Sequence, residues 1–246
     1  MRALVVSDLH SNADALRAVV KRVRRKKFEG VICLGDFVGY GAEPNQVLDT
    51  MRTWKAPKYY IRGNHDRVAA GIEDGSAFNH AARSAALWTR DHLSPPNRHF
   101  LQTLVHGPIE HQNVMMCHGA PHDEDEYVFH ETHAGEILRA TTAQFVLYGH
   151  THLPVVFSID PRGRVRGFSV RGDTIVRLEK DHRYLINPGS VGQPRDRNPE
   201  ASFALLDSTR LTVQFFRVKY DVAKTQDAIL RAGLPPILAH RLAHGT

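Results

Sequence analysis

Five short apolar segments of this chain each run directly into aspartate, asparagine or histidine, and this repeated pattern strongly limits the folds open to it. The five segments are residues 2–7, 31–34, 58–61, 114–117 and 145–148. Helical patterns separate them, at residues 12–27, 44–51, 67–104 and 133–140. This alternation predicts βαβ units with right-handed crossovers and a core of parallel strands. Short strands divided by turns fill residues 154–218, so we predict one α/β domain with two sheets.

The side chains that follow these segments are of the kinds that bind cations. They are Asp8 and His10, Asp36, the run Asn64-His65-Asp66, His118, and the pair His150 and His152. Ligands of open α/β sheets bind beyond the carboxyl ends of the strands, so five strand ends bring these groups to one edge. Each group alone has a structural explanation, such as a helix cap or a turn, but together they favour a binding site.

The mixture of carboxylate, imidazole and amide oxygen suits divalent metals such as manganese, iron or zinc. A single catalytic zinc takes three protein ligands and a water, and the seven candidate ligands here exceed that number. The candidates are Asp8, His10, Asp36, Asn64, His118, His150 and His152. They fit two adjacent ions that share a carboxylate.

The same residues carry a resemblance to a known family. Five blocks resemble, in order, those of the calcineurin-like metallophosphoesterases: Asp8-x-His10, Gly35-Asp36, Gly63-Asn64-His65-Asp66, His118-Gly119 and Gly149-His150-Thr151-His152. The fourth block is shortened, and Ser11 follows His10 where many relatives carry glycine. Residues 35–41 and 187–192 resemble the small bacterial and archaeal phosphodiesterase-like branch.

The resemblance implies a fold and a ligand set. The fold is a four-layer αββα sandwich of two mixed sheets, with the metals at one sheet edge. Asp8, His10, Asp36 and His152 are expected to hold one ion, and Asp36, Asn64, His118 and His150 the other, with Asp36 bridging. We expect manganese as the metal, with iron, zinc, nickel or cobalt as alternatives.

The implied reaction is hydrolysis of a phosphate ester. Two cations about 3.5–4 Å apart lower the pKa of a bridging water, and the hydroxide attacks phosphorus in line with the leaving alkoxide. The resemblance places His65 close to the leaving oxygen, where an imidazolium would stabilise or protonate it. It also implies that Asp66 orients His65. We expect a phosphodiesterase or phosphatase that acts on a small phosphate ester.

Substrate choice depends on other parts of the chain. We expect one domain over residues 1–246, with a helical, cap-like insert at about 67–112 that covers the metal edge. The cations near the motif loops that could grip a second phosphate are Arg67, His122, Arg195 and Arg197. Five further histidines show no ligand spacing and are expected to pack or to face solvent: His80, His92, His99, His106 and His111.

Other functions stay open at this point. The main alternative is a dinucleoside polyphosphate hydrolase, and minor ones are a protein Ser/Thr phosphatase and a non-catalytic, metal-bound scaffold for protein contacts. The scaffold subunits of this fold lack the catalytic histidine, which is present here as His65. A nucleic-acid partner would need a basic face with interleaved aromatic residues, and only the run from Lys21 to Lys27 offers basic charge. We interpret that run as a solvated helix face.

Composition excludes several classes of protein. The longest apolar runs are too short to cross a bilayer or to form a signal peptide, so we expect a cytoplasmic protein without a membrane partner. Two cysteines imply no disulfide framework. A net charge of +6 suits anionic substrates but is weak evidence by itself, and nothing in the sequence predicts the oligomeric state.

Overall fold

Strands and helices are interspersed along the first 147 residues, six strands without an intervening helix follow, and two helices close the chain. The computed structural model describes residues 1–246, which form twelve strands and eight helices. The strands are β1 (Arg2–Val6), β2 (Gly30–Cys33), β3 (Lys58–Tyr60), β4 (Ile109–His111), β5 (Val114–Met116), β6 (Phe145–Leu147), β7 (Pro154–Ile159), β8 (Val165–Ser169), β9 (Thr174–Arg177), β10 (Arg183–Pro188), β11 (Ala201–Asp207) and β12 (Thr212–Val218). The helices are α1 (Ala13–Val23), α2 (Pro44–Arg52), α3 (Asn64–Ala70), α4 (His80–His92), α5 (Pro95–Thr103), α6 (Glu131–Ala140), α7 (Val222–Arg231) and α8 (Pro236–His244).

Two mixed sheets of six strands each lie at the centre of the molecule. The first has the order β3-β2-β1-β11-β12-β9, and the second has the order β4-β5-β6-β10-β7-β8. Strands β1 to β3 pair in parallel, as β5, β6 and β10 do, and the other pairs are antiparallel. Each sheet therefore has a parallel part whose strands end at a common edge.

Alternate residues of the central strands face opposite sides of each sheet, which produces four layers. In β1, Leu4 packs with α1 and α2, whereas Val5 packs in the core between the two sheets. In β6, Leu147 faces that same inter-sheet core, and Val146 packs with α6. The order helix, sheet, sheet, helix confirms the predicted αββα sandwich.

Helix α1 is shorter than predicted. It ends at Val23, whereas the sequence predicted a helix as far as Lys27, so only Lys21 and Arg22 of the basic run lie in its last turn. The backbone N–H of Lys26 donates to the Val23 carbonyl in a turn that leads the chain toward β2. Packing of the chain into the sheet therefore overrides the helical propensity of these residues.

Helix α8 and strand β4 were not predicted. In α8, Leu238 and Leu242 lie one turn apart and pack with Tyr40 and Ile229, so the helix pairs with α7 beside the loop that follows β2. A proline at the start of the helix and this four-residue spacing are the signals that the sequence analysis missed. No helix of the protein combines the length and apolar character needed to cross a lipid bilayer.

The segment 67–112, predicted as an insert, holds the end of α3, the helices α4 and α5, and the strand β4. Ala82 and Ala85 of α4 pack with Tyr40 and with the α7–α8 pair. Leu101 of α5 packs into the core of the first sheet and its helices. Helix α5 begins at Pro95, which follows Ser94 and occupies the first turn, where a proline is tolerated.

Candidate metal centre

All seven predicted ligands lie together at the carboxyl-terminal edge of the two parallel sets of strands. Asp8 and His10 follow β1, Asp36 follows β2, and Asn64 begins α3 after β3. His118 follows β5, and both His150 and His152 follow β6. Every one of them is at most 9% exposed, so the ligands are buried among the loops that carry them.

The backbone around the ligands is held in an uncommon conformation. Five of the seven ligands have a positive φ: Asp8 at 53°, His10 at 44°, Asp36 at 53°, His150 at 63° and His152 at 60°. This region is costly for residues other than glycine and persists only where the surrounding structure enforces it. Bonds between the loops do so here, because Asp8 N donates to Gly35 O (3.1 Å) and His10 N to Asp36 O (3.0 Å).

One group of donor atoms comes from Asp8, His10, Asp36 and His152. The Nε2 atom of His10 lies 3.6 Å from Asp36 Oδ2 and 3.1 Å from His152 Nε2. The Nε2 atom of His152 lies 3.3 Å from Asp8 Oδ1. One donor atom from each residue falls within 4.8 Å of the others, which is compact enough to surround one ion.

A second group comes from Asp36, His118 and His150, with Asn64 beside them. His118 Nε2 lies 3.4 Å from Asp36 Oδ2, 3.2 Å from Asn64 Oδ1 and 3.1 Å from His150 Nδ1. Asp36 belongs to both groups, and the same atom, Oδ2, faces a histidine of each.

The hydrogen bonds of the four histidines show that this donor set fits cations. In each ring, the nitrogen that points away from the site contacts a backbone carbonyl, and a carbonyl can only accept, so that nitrogen must donate. The bonds are His10 Nδ1 to Val38 O (3.0 Å), His118 Nδ1 to Leu34 O (2.6 Å), His150 Nε2 to Asp125 O (3.0 Å) and His152 Nδ1 to Gln193 O (2.6 Å). Histidines that bind metals are oriented in this way.

In a neutral ring, the nitrogen that points into the site is consequently left with a lone pair. Burial lowers the pKa of both His10 and His152, so their Nε2 atoms face each other at 3.1 Å without a proton between them. Two such lone pairs repel, and Asp8 Oδ1 lies 3.3 Å from the Nε2 atom of His152. A divalent cation held by these atoms would remove the repulsion.

The charges of the second group fit the same interpretation. Burial opposes ionisation of Asp36, but His118 and His65 hold the pKa of Asp36 well below its usual value. Burial likewise lowers the pKa of His118, but the charge of Asp36 outweighs it and raises that pKa to about 10. Without a metal, His118 therefore keeps a proton on the side where a cation would bind. Burial, together with the charge of Asp36, raises the pKa of Asp8 to about 7.

His65 lies beside this cluster and not within it. Its backbone N–H donates to Asp36 Oδ1 at 2.9 Å, and its ring packs between Tyr40 and Phe78, with ring centroids 4.3 and 4.6 Å away. Its Nδ1 atom is buried without a partner. Burial lowers the pKa of His65 to about 4, so the ring is neutral at pH 7, whereas the sequence analysis expected an imidazolium.

Asp66 does not contact the ring of His65, contrary to the expectation that it orients this residue. Its Oδ2 accepts from Gly63 N (3.0 Å) and its Oδ1 from Val38 N (3.2 Å). Both carboxylate oxygens are therefore used to join the loop after β2 to the start of α3. Tyr40 and Phe78 hold the His65 ring instead, through packing.

A cavity of about 560 Å³ opens in front of the cluster. Part of its wall comes from the ligands and His65, and the facing wall comes from residues 73–79 of the predicted insert. Tyr127 and Arg195 complete the rim. The size is typical of a small-molecule site.

The four cations proposed from the sequence for a second phosphate differ in their surroundings. Arg67 lines the cavity, but its guanidinium already forms ion pairs with three acidic side chains, those of Glu73, Glu124 and Asp125. His122 pairs with a glutamate on the surface, and Arg197 is exposed, and neither lines the cavity. Arg195 alone of the four lines the cavity without a carboxylate within 4.0 Å.

Several residues of the site were not identified from the sequence. Tyr40 and Phe78 pack on His65, Tyr127 packs on His150, and Gln193 orients His152 through its carbonyl. Tyr40 lies inside the Gly35–Gly41 block and Gln193 directly follows the 187–192 block, so both had a signal nearby. Phe78 and Tyr127 had none, because only the folded chain brings them to the metal edge.

Gly39→Ala is expected to displace His65 while leaving the ligands in place. A Cβ at position 39, where φ is +89°, would overlap the ring of His65 at Nδ1. We expect at least a tenfold loss of turnover at unchanged metal content, with about 1–2 kcal/mol lost from the left-handed backbone alone. Gly163→Ala is the matched control, because its φ is +79° but nothing lies within 4 Å. Equal activity losses in both variants would show that strain, and not contact with His65, is responsible.

Comparisons with known proteins extend over nearly the whole chain. Residues 1–210 match the calcineurin-like phosphoesterase superfamily domain. An uncharacterized protein of Methanocaldococcus jannaschii is 34% identical over 246 residues, which cover 98% of this chain and 97% of that protein. The phosphodiesterase YfcE of Escherichia coli K12 is 24% identical over 231 residues, covering 87% and 91% of the two chains. The crystal structure of a metallophosphoesterase from Sphaerobacter thermophilus has a TM-score of 0.87 at 34% identity, covering 100% of this chain and 99% of that one.

Proposed function

The chain belongs to the calcineurin-like phosphoesterase superfamily and is a metal-dependent phosphoester hydrolase, and on this premise we propose that it works with two metal ions on small phosphodiesters or phosphomonoesters. The observation that carries the two-ion proposal is the position of Asp36 in both groups of donor atoms. Its Oδ2 lies 3.6 Å from His10 Nε2 and 3.4 Å from His118 Nε2. A shared carboxylate is the arrangement that two adjacent cations require.

The proposed ligand sets follow the two groups. Asp8, His10, Asp36 and His152 would hold one ion, and Asp36, Asn64, His118 and His150 the other. Manganese is the proposed metal, because mixed carboxylate, imidazole and amide donors suit it, and iron, zinc, nickel and cobalt accept similar donors. When bound, the two cations would lower the pKa of a coordinated water and neutralise the oxygens of the phosphoryl group.

The protein contributes orientation. Four backbone carbonyls orient the rings of the four histidines, so the nitrogens that would bind the ions already point into the site before any ion arrives. Loop-to-loop hydrogen bonds and the two bonds of the Asp66 carboxylate hold these carbonyls in place. Little rearrangement is then needed when the substrate binds, which is how a preorganised site lowers a reaction barrier.

His65 would assist the departure of the leaving group. A neutral imidazole carries one N–H, and the cavity in front of the ring gives a substrate oxygen access to it. Donation of this N–H would stabilise the negative charge that develops on the leaving oxygen. Tyr40 and Phe78 support this role, because their rings pack on the ring of His65 and hold it in place.

We also propose that residues 67–112 act as a cap over the metal edge. Phe78 contacts His65, and neighbouring residues 73–79 form the cavity wall opposite the ligands. Loops on a rigid scaffold usually determine substrate choice. This segment would therefore select among phosphate esters, whereas the loops after the strands would perform the reaction.

Metal removal tests the proposal directly. Protein stripped with a chelator should lose hydrolysis of bis(p-nitrophenyl) phosphate to background, and Mn²⁺ should restore it as two ions bind per chain. p-Nitrophenyl phosphate and diadenosine tetraphosphate, assayed in parallel, separate the diesterase, the phosphatase and the dinucleoside polyphosphate hydrolase. Full activity with one bound ion would contradict the two-ion proposal. Two bound ions without turnover of any of the three would favour the non-catalytic scaffold.

A further inference from the structure

Arg195 is a cation that lines the cavity and has no carboxylate within 4.0 Å of its guanidinium. Its guanidinium donates to Gln193 Oε1 (3.0 Å) and contacts Tyr40 Oη (3.4 Å), and its Nε is buried without a partner. The carboxylate of the next residue, Asp196, pairs with Arg217 instead. The other cavity arginine, Arg67, is already engaged by acidic side chains. Arg195 is therefore left to bind an anion that enters the cavity.

The position of Arg195 suits an anion next to the metal centre. Its guanidinium donates to the side chain of Gln193, whose backbone carbonyl accepts from His152, one of the proposed ligands. It also contacts the ring of Tyr40, 5.8 Å from the ring centroid, and Tyr40 in turn packs on His65. The guanidinium thus lies close to the proposed ligands and to His65, and it lines the same cavity.

An exposed aromatic surface begins at the same rim. Tyr127 packs on the ring of His150, with centroids 3.9 Å apart, and Phe129 stacks on Tyr127 at 5.5 Å with an interplanar angle of only 8°. Tyr127 is 45% exposed and Phe129 is 47% exposed, although both are large apolar rings. Two parallel, exposed rings beside a cavity offer aromatic faces on which a further flat aromatic group can stack.

Resting on the proposed function, we propose that Arg195 and the Tyr127–Phe129 surface form a substrate subsite for a nucleotide with a second, non-reacting phosphate group. The metal centre would bind the reacting phosphate, the guanidinium of Arg195 would bind the adjacent phosphate, and the nucleobase would stack on the Tyr127 and Phe129 rings. The proposed ligands, Arg195 and Tyr127 line one cavity of about 560 Å³, within the range of sites for ligands of this size, and Phe129 stacks on Tyr127 beside it. The preferred substrates are therefore esters of nucleoside diphosphates and longer polyphosphates.

A binding series separates the three contributions. The probes are methylphosphonate, methylenediphosphonate and α,β-methylene-ADP, which add in turn one phosphoryl group, a second one and a nucleoside. Affinities are measured by calorimetry on manganese-loaded protein, with metal content determined for each variant. In the wild type we expect each addition to tighten binding.

Each variant should reduce the gain in affinity that one of the added groups provides. Arg195→Gln should reduce the gain from the second phosphoryl group by roughly 10- to 100-fold, the usual range for a hydrogen bond to a charged group. Arg195→Lys should recover part of it, because the charge remains but the planar fork is lost. Tyr127→Leu combined with Phe129→Leu should reduce the gain from the nucleoside by roughly 5- to 150-fold. Arg197→Gln, an exposed arginine two residues away, is the control and should change neither gain.

The outcomes distinguish this inference from the function on which it rests. A wild-type protein that turns over bis(p-nitrophenyl) phosphate but binds all three probes equally would overturn the subsite alone. If Arg195→Gln gains as much affinity as the wild type from the second phosphoryl group, the proposed role of Arg195 is wrong. A wild type without chelator-sensitive turnover of any phosphate ester would overturn the proposed function instead.

Discussion

Asp36→Asn is expected to abolish metal retention and turnover together. Asparagine has the same shape, but it cannot supply the negative charge that faces His10 and His118 at 3.6 and 3.4 Å. Removing one charged partner from a buried group of charges costs about 3–5 kcal/mol, which corresponds to roughly 10²- to 10⁴-fold in metal affinity. Because Asp36 belongs to both donor groups, we expect the binding of both ions to weaken, and not the binding of one ion only.

Metal analysis after gel filtration, paired with turnover of bis(p-nitrophenyl) phosphate, measures this effect. Asp91→Asn is the control, because that side chain is 71% exposed on α4 and far from any ligand in sequence. Misfolding is tested by thermal melting, since a ligand that binds only the folded state raises the melting temperature. The metal-free variant should still unfold cooperatively, at a lower temperature than the metal-free wild type because the Asp36–His118 pair is lost, and the rise on adding Mn²⁺ should disappear. Retention of two ions by the variant would show that Asp36 is not shared.

His65→Ala should have the opposite pattern, with metal retained and turnover lost. The only hydrogen bond from His65 to a proposed ligand comes from its backbone N–H, which alanine keeps. Loss of a positioned proton donor typically slows a reaction by about 10²- to 10⁴-fold. His65→Asn, which retains a side-chain N–H, should recover part of the rate. His99→Ala, an exposed histidine on α5, should change nothing.

The pH profile tests which form of His65 acts. Burial lowers its pKa to about 4, so the neutral ring predominates above that pH and its N–H stays available. Turnover of the wild type should therefore not decline between pH 5 and pH 8 through loss of a proton from His65. A wild-type turnover that declines as the pH rises through this range, with a decline that is absent in His65→Ala, would restore the imidazolium role. Full activity of His65→Ala would remove His65 from the reaction altogether.

The ligand positions could be predicted from the sequence because local patterns encode them. A short apolar strand such as residues 2–6 forms wherever it can be buried, and parallel strands end at a common edge. Once five such strands are identified, the residues directly after them must lie near one another. That is why Asp8, Asp36 and His118 could be grouped without coordinates, although 110 positions separate the first from the last.

The tertiary structure alone decided how these groups behave. The carbonyls that orient His10 and His152 belong to Val38 and Gln193, 28 and 41 positions away from them. No periodicity reports such a pairing, because it depends on how two loops meet. Asp66 likewise bonds to backbone N–H groups and not to the neighbouring His65, which sequence adjacency had suggested.

Charges and burial differ in the same way between what the sequence determines and what the fold decides. The sequence by itself determined which titratable groups are present, their order, the αββα class and the candidate ligands. Only the folded chain decided that acidic partners occupy Arg67 while Arg195 has none, and that burial keeps His65 neutral. The physical reason is that strand and helix patterns depend on neighbours along the chain, whereas ion pairing and desolvation depend on distances through space.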